Sequence, residues 1–287
     1  MKVKSTATDM VGWRYVLATL LTVVNVLHGS LPVTAQTPAH LPQISSHRGA
    51  NNLAPENTLA AFSKAIELGA NFVEVDVRTT SDDVSVIMHD SSLKRTTGLD
   101  AKVNKTTRAE IKKLSAGKWF GDSYADQEVP TLEELCALVW NENRKRETPI
   151  HLYVDCKEID TGEVIRILLQ NRLLDSALFY GSVKTLKEVK KFYSKARVMP
   201  PYPGAEKIDR MIKKLHPYAL DVAFSDLSAE TVSHCHAKGI KVFSDLLGKY
   251  DNPEAYKKAT QLGVDVIQTD DVSGVLNFLN GFELQQK

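Results

Sequence analysis

From Ile44 onward the chain alternates short apolar runs with longer amphipathic stretches, and few architectures accept that alternation. The runs Gln43–Ser46, Phe72–Val77, Val84–Met88, Ile150–Asp155, Ala177–Gly181, Arg197–Met199, Leu220–Phe224, Lys241–Ser244 and Val264–Thr269 read as strands. Helical stretches such as Thr58–Gly69, Gly162–Asn171, Val183–Ser194, Gly204–Leu215, Ser228–Lys238 and Pro253–Leu262 lie between them. The third run is an exception. Only Arg78–Asp83 separates it from the second, whereas a parallel crossover needs about a dozen residues or more. Read as a hairpin return, it leaves eight βα repeats, which predict an α/β fold closed into a barrel. The length of 287 residues suits one such domain, usually about 250 residues, with an extension.

The interval from Ser91 to Glu147 is too long for one connection. It holds a predicted helix at Arg108–Leu114, the aromatic segment Trp119-Phe120-Gly121-Asp122, and a helix capped by Thr131 with Glu133 and Glu134 in its first turn. Residues 91–129 are therefore expected as an insertion over the barrel mouth, between the His89-Asp90 pair and the third barrel strand.

Residues 1–40 do not belong to this pattern. Lys2 and Lys4 precede an apolar run from Tyr15 to Leu27, and Val33-Thr34-Ala35 offers small residues for cleavage after Ala35. The run is short of the roughly 20 residues that a spanning helix prefers. It predicts export to the periplasm or the extracellular space, as a cleaved signal peptide or as a membrane anchor over residues 11–28, and residues 41–287 as the folded domain. The 36 basic and 35 acidic residues give a net charge of +1, so composition offers no argument for a nucleic-acid partner or an anionic membrane surface. Cys136, Cys156 and Cys235 are odd in number and lack CxxC spacing, and they read as free buried thiols.

Chemistry collects at strand ends. Glu74 and Asp76 are two apart and share one face of a strand whose other face carries Val73, Val75 and Val77; Asp155 and Lys157 repeat the spacing. The C-terminal strand ends form the active face of a parallel barrel. Three carboxylates converging there call for a hard cation with oxygen ligands, Mg²⁺ or Ca²⁺. His47 and His89 each close a strand, and such a pair can hold one proton between them near neutral pH, one accepting while the other donates. That is what in-line displacement at phosphorus with an alkoxide leaving group requires. Arg48 and Lys157 add fixed positive charge suited to a phosphodiester, and Arg95 is a further candidate from the insertion. His151, His216, His234 and His236 fall at strand starts or on helices and are read as structural.

Taken together, His47-Arg48-Gly49, Pro55-Glu56-Asn57-Thr58, Glu74-x-Asp76, Val86-Ile87-Met88-His89-Asp90 and Leu93-x-Arg95-Thr96-Thr97-Gly98 closely resemble the glycerophosphodiester phosphodiesterases, over about Ile44 to Val275. The resemblance implies a TIM barrel that uses one divalent cation to hydrolyse glycerophosphodiesters to sn-glycerol 3-phosphate and an alcohol. It implies His47 and His89 as the acid/base pair, Glu74 and Asp76 as metal ligands, Asp155 as the third ligand and Lys157 on the phosphate. Asp155 stands where the family has Glu. The segment from Val242 to Gly248 departs from the family's Trp-Thr-Val-Asn-like strand end, while Gly263–Asp270 fits its closing motif. Two other functions fit the same residues. A related barrel could act on lysophospholipid or sphingomyelin-type head groups, with Trp119, Phe120 and Tyr124 forming an acyl trough, or a non-catalytic surface protein could bind a phosphodiester.

Overall fold

The computed structural model describes residues 40–284. The predicted export segment therefore lies, apart from His40, outside the described residues. No helix among those described is long and apolar enough to cross a membrane.

The elements in chain order are β1 (Gln43–Ser46), α1 (Leu59–Leu68), β2 (Phe72–Thr79), β3 (Ser85–Ile87), α2 (Lys94–Thr97), α3 (Arg108–Ile111), α4 (Leu132–Asn143), β4 (His151–Glu158), α5 (Thr161–Gln170), β5 (Leu178–Tyr180), α6 (Val183–Phe192), β6 (Arg197–Met199), α7 (Ile208–Leu215), β7 (Ala219–Asp221), α8 (Ala229–Ala237), β8 (Lys241–Asp245), α9 (Pro253–Leu262), β9 (Val266–Thr269) and α10 (Val272–Leu284). The parallel strands run in the order β6-β5-β4-β2-β1-β9-β8-β7. The ends of this path meet. Tyr218 N–H donates to Val198 O, and Tyr202 N–H to Asp221 O, so the eight strands form a nearly closed TIM barrel. Pro200 and Pro201 lack N–H groups and cannot extend the β6 ladder, which explains why the seam is its sparsest part.

Local chemistry sets the helix ends. Thr58 caps α1 by accepting from Ala61 N–H, and Gly69 ends it in the left-handed region at φ 96°. Thr131 and Glu134 form a capping box on α4. The expected helix Arg108–Leu114 shortens to α3, because Lys113 and Leu114 donate three residues back, to Glu110 and Ile111, in a tightened tail before Ser115. The strand expected at Leu220–Phe224 stops at Asp221, where the chain turns into a 3₁₀ turn at Phe224–Asp226.

Two apolar layers follow from strand alternation. Outward side chains such as Val73, Val75, Val77 and Val154 pack under the helices. Inward, every barrel strand except β1 gives one residue to a lumen layer of Phe72, Tyr153, Leu178, Met199, Ala219, Phe243 and Val266. The segment after β3 has its own core, built from Val86, Met88, Leu93, Val103, Ile111, Ala116 and Val129. Cys136, Cys156 and Cys235 are free and buried.

Candidate active site

One step further along the strands the lumen turns acidic. Glu74 and Asp76 on β2 and Asp155 on β4 are 2%, 1% and 9% exposed, and each offers an oxygen within 4.8 Å of the others. Strand register brings them together, since Asp76 lies opposite Asp155. Burial, with Asp76 and Asp155 nearby, pushes the Glu74 carboxyl well above its usual range, and burial also raises that of Asp155. The Lys157 ammonium lies 2.5 Å from Asp155 and 3.2 Å from Asp76. It is there because the β2–β4 register skips Lys157 between Cys156 and Glu158, a bulge that re-aims its side chain. Three buried acid oxygens gathered this closely fit a hard divalent cation. Lys157 is thus held by two carboxylates in this structure.

The Pro55–Thr58 turn gives each of its residues a separate job. Pro55 O accepts from the Thr58 hydroxyl. Glu56 binds Arg48 at 3.0 Å and Arg95 at 2.7 Å. Asn57, at φ 57°, donates to Asp76 Oδ2 at 2.8 Å. Arg48, also left-handed at φ 55°, donates its backbone N–H to Glu74 Oε2 at 2.8 Å, and its Nε lies 3.4 Å from Asp76. Gly49 must be glycine, because a Cβ there would come within 2.7 Å of the Ala61 backbone.

The two histidines reach one edge of β2 by different routes. His47 follows β1, whose Ser46 pairs with Val73. β3 is antiparallel to β2, so strand direction alone would carry His89 away from the rim. It stays because β2 runs on to Thr79, two residues past its expected end; β3 then returns along the edge that short β1 leaves open, and Met88 N–H donates to Asp76 O. Arg78 fixes the His89 carbonyl with two bonds of 3.0 and 2.7 Å.

Each imidazole is held by a carboxylate. His89 Nδ1 lies 2.7 Å from Asp90, and His47 Nδ1 lies 2.7 Å from Asp270. Arg95 bonds to Asp90 and holds its carboxyl well below the usual range. The same guanidinium bonds to Glu56, so Arg95 is a strut rather than a free anion receptor. Burial works to raise the Asp270 carboxyl, but bonds from His47 and Asn51 outweigh it and hold the group below its ordinary value.

Several of these residues escaped sequence reasoning. Asn51, Asp270 and the lumen pair Asp221 and Asp245 gave no signal of their own, although Asp270 ends a strand already recognised as a closing motif, and Asn57 lay inside the Pro55–Thr58 motif without a role assigned to it. Burial raises Asp221 well above its usual range and Asp245 to about 6, and one carboxylate oxygen of each lacks a hydrogen-bond partner. The four histidines read as structural make contacts away from the acid cluster: His151 packs on Phe72, His234 bonds to Asp209, His236 bonds to Asp265, and His216 ends α7. In the insertion Phe120 packs edge-on against both Trp119 and Tyr124, and the Tyr124 hydroxyl donates to Leu53 O.

Known proteins resemble this chain over most of its length. The sequence model of the glycerophosphoryl diester phosphodiesterase family matches residues 47–273. A glycerophosphodiester phosphodiesterase from Caldanaerobacter subterraneus subsp. tengcongensis is 32% identical over 241 residues, covering 82% of this chain and 97% of that protein. An Oleispira antarctica phosphodiesterase, solved with the product sn-glycerol-3-phosphate, superposes with a TM-score of 0.75 at 27% identity, covering 84% of this chain and 97% of that one. The enzyme from Agrobacterium tumefaciens shares the fold with a TM-score of 0.75 at 24% identity, covering 83% of this chain and all of that one. The chain belongs to the glycerophosphodiester phosphodiesterase family and is a phosphoric diester hydrolase rather than a binding-only barrel.

Proposed function

We propose that the enzyme hydrolyses glycerophosphodiesters to sn-glycerol 3-phosphate and an alcohol, with His47 and His89 as the acid/base pair and Glu74, Asp76 and Asp155 holding one divalent cation, Mg²⁺ or Ca²⁺. The observation that carries this reading is the pair of carboxylate-held imidazoles on one edge of β2, the strand that carries Glu74 and Asp76 of the buried acid triad. When bound, the cation supplies positive charge for a non-bridging phosphate oxygen. Arg48 and Lys157 neutralise the charge that develops on the other phosphate oxygens.

Proton transfer belongs to the histidines. One imidazole takes the proton of the nucleophile as its oxygen bonds to phosphorus. The other gives a proton to the alkoxide as the opposite P–O bond breaks. The nucleophile is water or the glycerol 2-hydroxyl, the latter giving a cyclic phosphate that water then opens.

The test is a substrate panel on chelator-stripped enzyme with Mg²⁺, Ca²⁺ or Mn²⁺ restored. Metal-dependent release of glycerol 3-phosphate from glycerophosphocholine or glycerophosphoethanolamine is the expected result. Turnover of lysophosphatidylcholine alone would move the substrate to the lipid class, and activity unchanged by chelation would remove the cation from the reaction.

A further inference from the structure

We infer that Asp270, seated by Asn51, is the positioning residue for His47, holding the proton on Nδ1 so that Nε2 faces the reacting phosphodiester. The inference rests on the acid/base reading of His47 proposed above.

Register makes the contact. β1 and β9 are parallel neighbours with Ser46 opposite Thr269, so the residue that follows each strand lies beside the other. His47 N–H donates to Thr269 O at 3.0 Å, and the side chains meet at 2.7 Å. Asn51 Nδ2 donates to the same Asp270 oxygen at 2.5 Å and to the His47 carbonyl at 3.0 Å, which ties the carboxylate to the turn that carries the histidine. The Asp270 backbone is pinned from behind. Its N–H donates to Asp251 Oδ2 at 2.7 Å, and Asp251 also accepts from the Thr269 and Tyr256 hydroxyls and from Asp271 N–H.

Donor chemistry then sets the tautomer. An ionised carboxylate only accepts, so Nδ1 must be the nitrogen that carries hydrogen. Nε2 is left to take a proton when the ring is neutral and to give one when it is charged. An asparagine at position 270 could turn its NH₂ toward Nδ1 and impose the other tautomer, whose Nε2 is blocked by its own hydrogen. His89 has a comparable partner in Asp90, but Asp90 is bound by the Arg95 guanidinium, whereas Asp270 is bonded by the neutral Asn51 amide. The two imidazoles are thus oriented alike and differ in the charge behind them.

The experiment compares wild type, Asp270→Asn, Asp270→Glu and Asn51→Ala in steady-state kinetics on glycerophosphocholine. It adds two-bond ¹H–¹⁵N spectra of histidine-labelled protein, in which His47 is assigned by the signal lost in His47→Ala. Asp270→Asn should lower kcat about 100-fold or more and leave KM within about twofold, because orientation of the general acid/base matters chiefly in the transition state. The His47 pattern should move away from the Nδ1–H form in the same variant, and Asp270→Glu should restore part of both. Asn51→Ala, which keeps the carboxylate, should lose about tenfold in kcat and broaden the His47 signals. The inference is overturned if Asp270→Asn keeps kcat within about twofold, or loses it while the His47 spectrum matches wild type. If Asp270→Asn does not fold, wild-type kcat and an unchanged His47 spectrum in Asn51→Ala overturn it. A wild type that makes no glycerol 3-phosphate counts against the proposed function alone, since the spectra still read the tautomer.

Discussion

The lumen of this barrel has two floors built from the same strands. In the lower one Phe72, Tyr153, Phe243 and their neighbours are buried apolar groups in edge-on ring contacts. Two residues further along, β2, β4, β7 and β8 present Glu74, Asp155, Asp221 and Asp245, carboxyls whose ionisation burial opposes. The lower floor stabilises the fold by removing apolar area from water, at roughly 25 cal/mol per Å². The upper floor opposes folding, because like charges are gathered where water cannot screen them. One alternation of side chains along one strand thus separates the apolar contacts that hold the barrel closed from the buried carboxyls of the candidate site.

Substitutions that spare one floor and strike the other sharpen this contrast. The largest effects should come at the rim: His47→Ala and His89→Ala should each lower kcat by about 10²–10⁴-fold, or roughly 3–5 kcal/mol of barrier. Their melting temperatures should stay close to wild type, since both side chains are partly exposed, at 16% and 33%. Phe243→Ala should do the reverse, costing about 3–5 kcal/mol of stability in denaturant titration through the cavity it leaves. Equal losses of folding and activity from both kinds of change would collapse the distinction. An intermediate case is Glu74→Gln. Without divalent cation it should stabilise the fold by on the order of 1–3 kcal/mol, because it removes a buried carboxyl whose ionisation burial opposes and keeps an oxygen for Arg48 N–H. Mg²⁺ or Ca²⁺ should raise the melting temperature of wild type, and Glu74→Gln should lose that rise. A destabilised Glu74→Gln would show that the triad's repulsion is already relieved by Lys157 and Arg48.

The contrast also explains what the sequence could disclose. Barrel strands buried on both faces are written as near-continuous apolar runs, so β1, β2, β4 and the others were legible, and Glu74-x-Asp76 stood out as charge inside such a run. The hairpin return of β3 was legible because its connection is too short for a crossover. Asp270 was not assigned to His47, because their meeting depends on a register between segments 223 residues apart. The aim of Lys157 was hidden likewise, since a bulge belongs to a pair of strands. Asn57 supports Asp76 only through a left-handed turn. Residue types at strand ends marked out the candidate site, and the partners that contact them became visible only with pairing.

The smallest expected effect tests the upper floor by proton linkage. Asp245 lies inside the barrel mouth, and its carboxyl is raised to about 6 by burial and by nearby Asp155 and Asp270, against the pull of His47 and Lys157. An ordinary aspartate titrates near 3.9, so the folded state binds this proton more tightly than the unfolded chain does. Stability linked to the group is therefore complete below about pH 4, declines as pH rises toward about 6, and is absent above that. In chelator-treated protein, Asp245→Asn should remove this decline and leave the variant more stable than wild type at pH 7 by on the order of 1–2 kcal/mol, with the gap closing by about pH 4. Denaturant midpoints across that range provide the measurement. A gap independent of pH would assign the gain to packing rather than to relief of charge. A gap of opposite sign would mean that ionised Asp245 has a stabilising partner at the mouth, and the acidic floor would then oppose folding on β2, β4 and β7 alone.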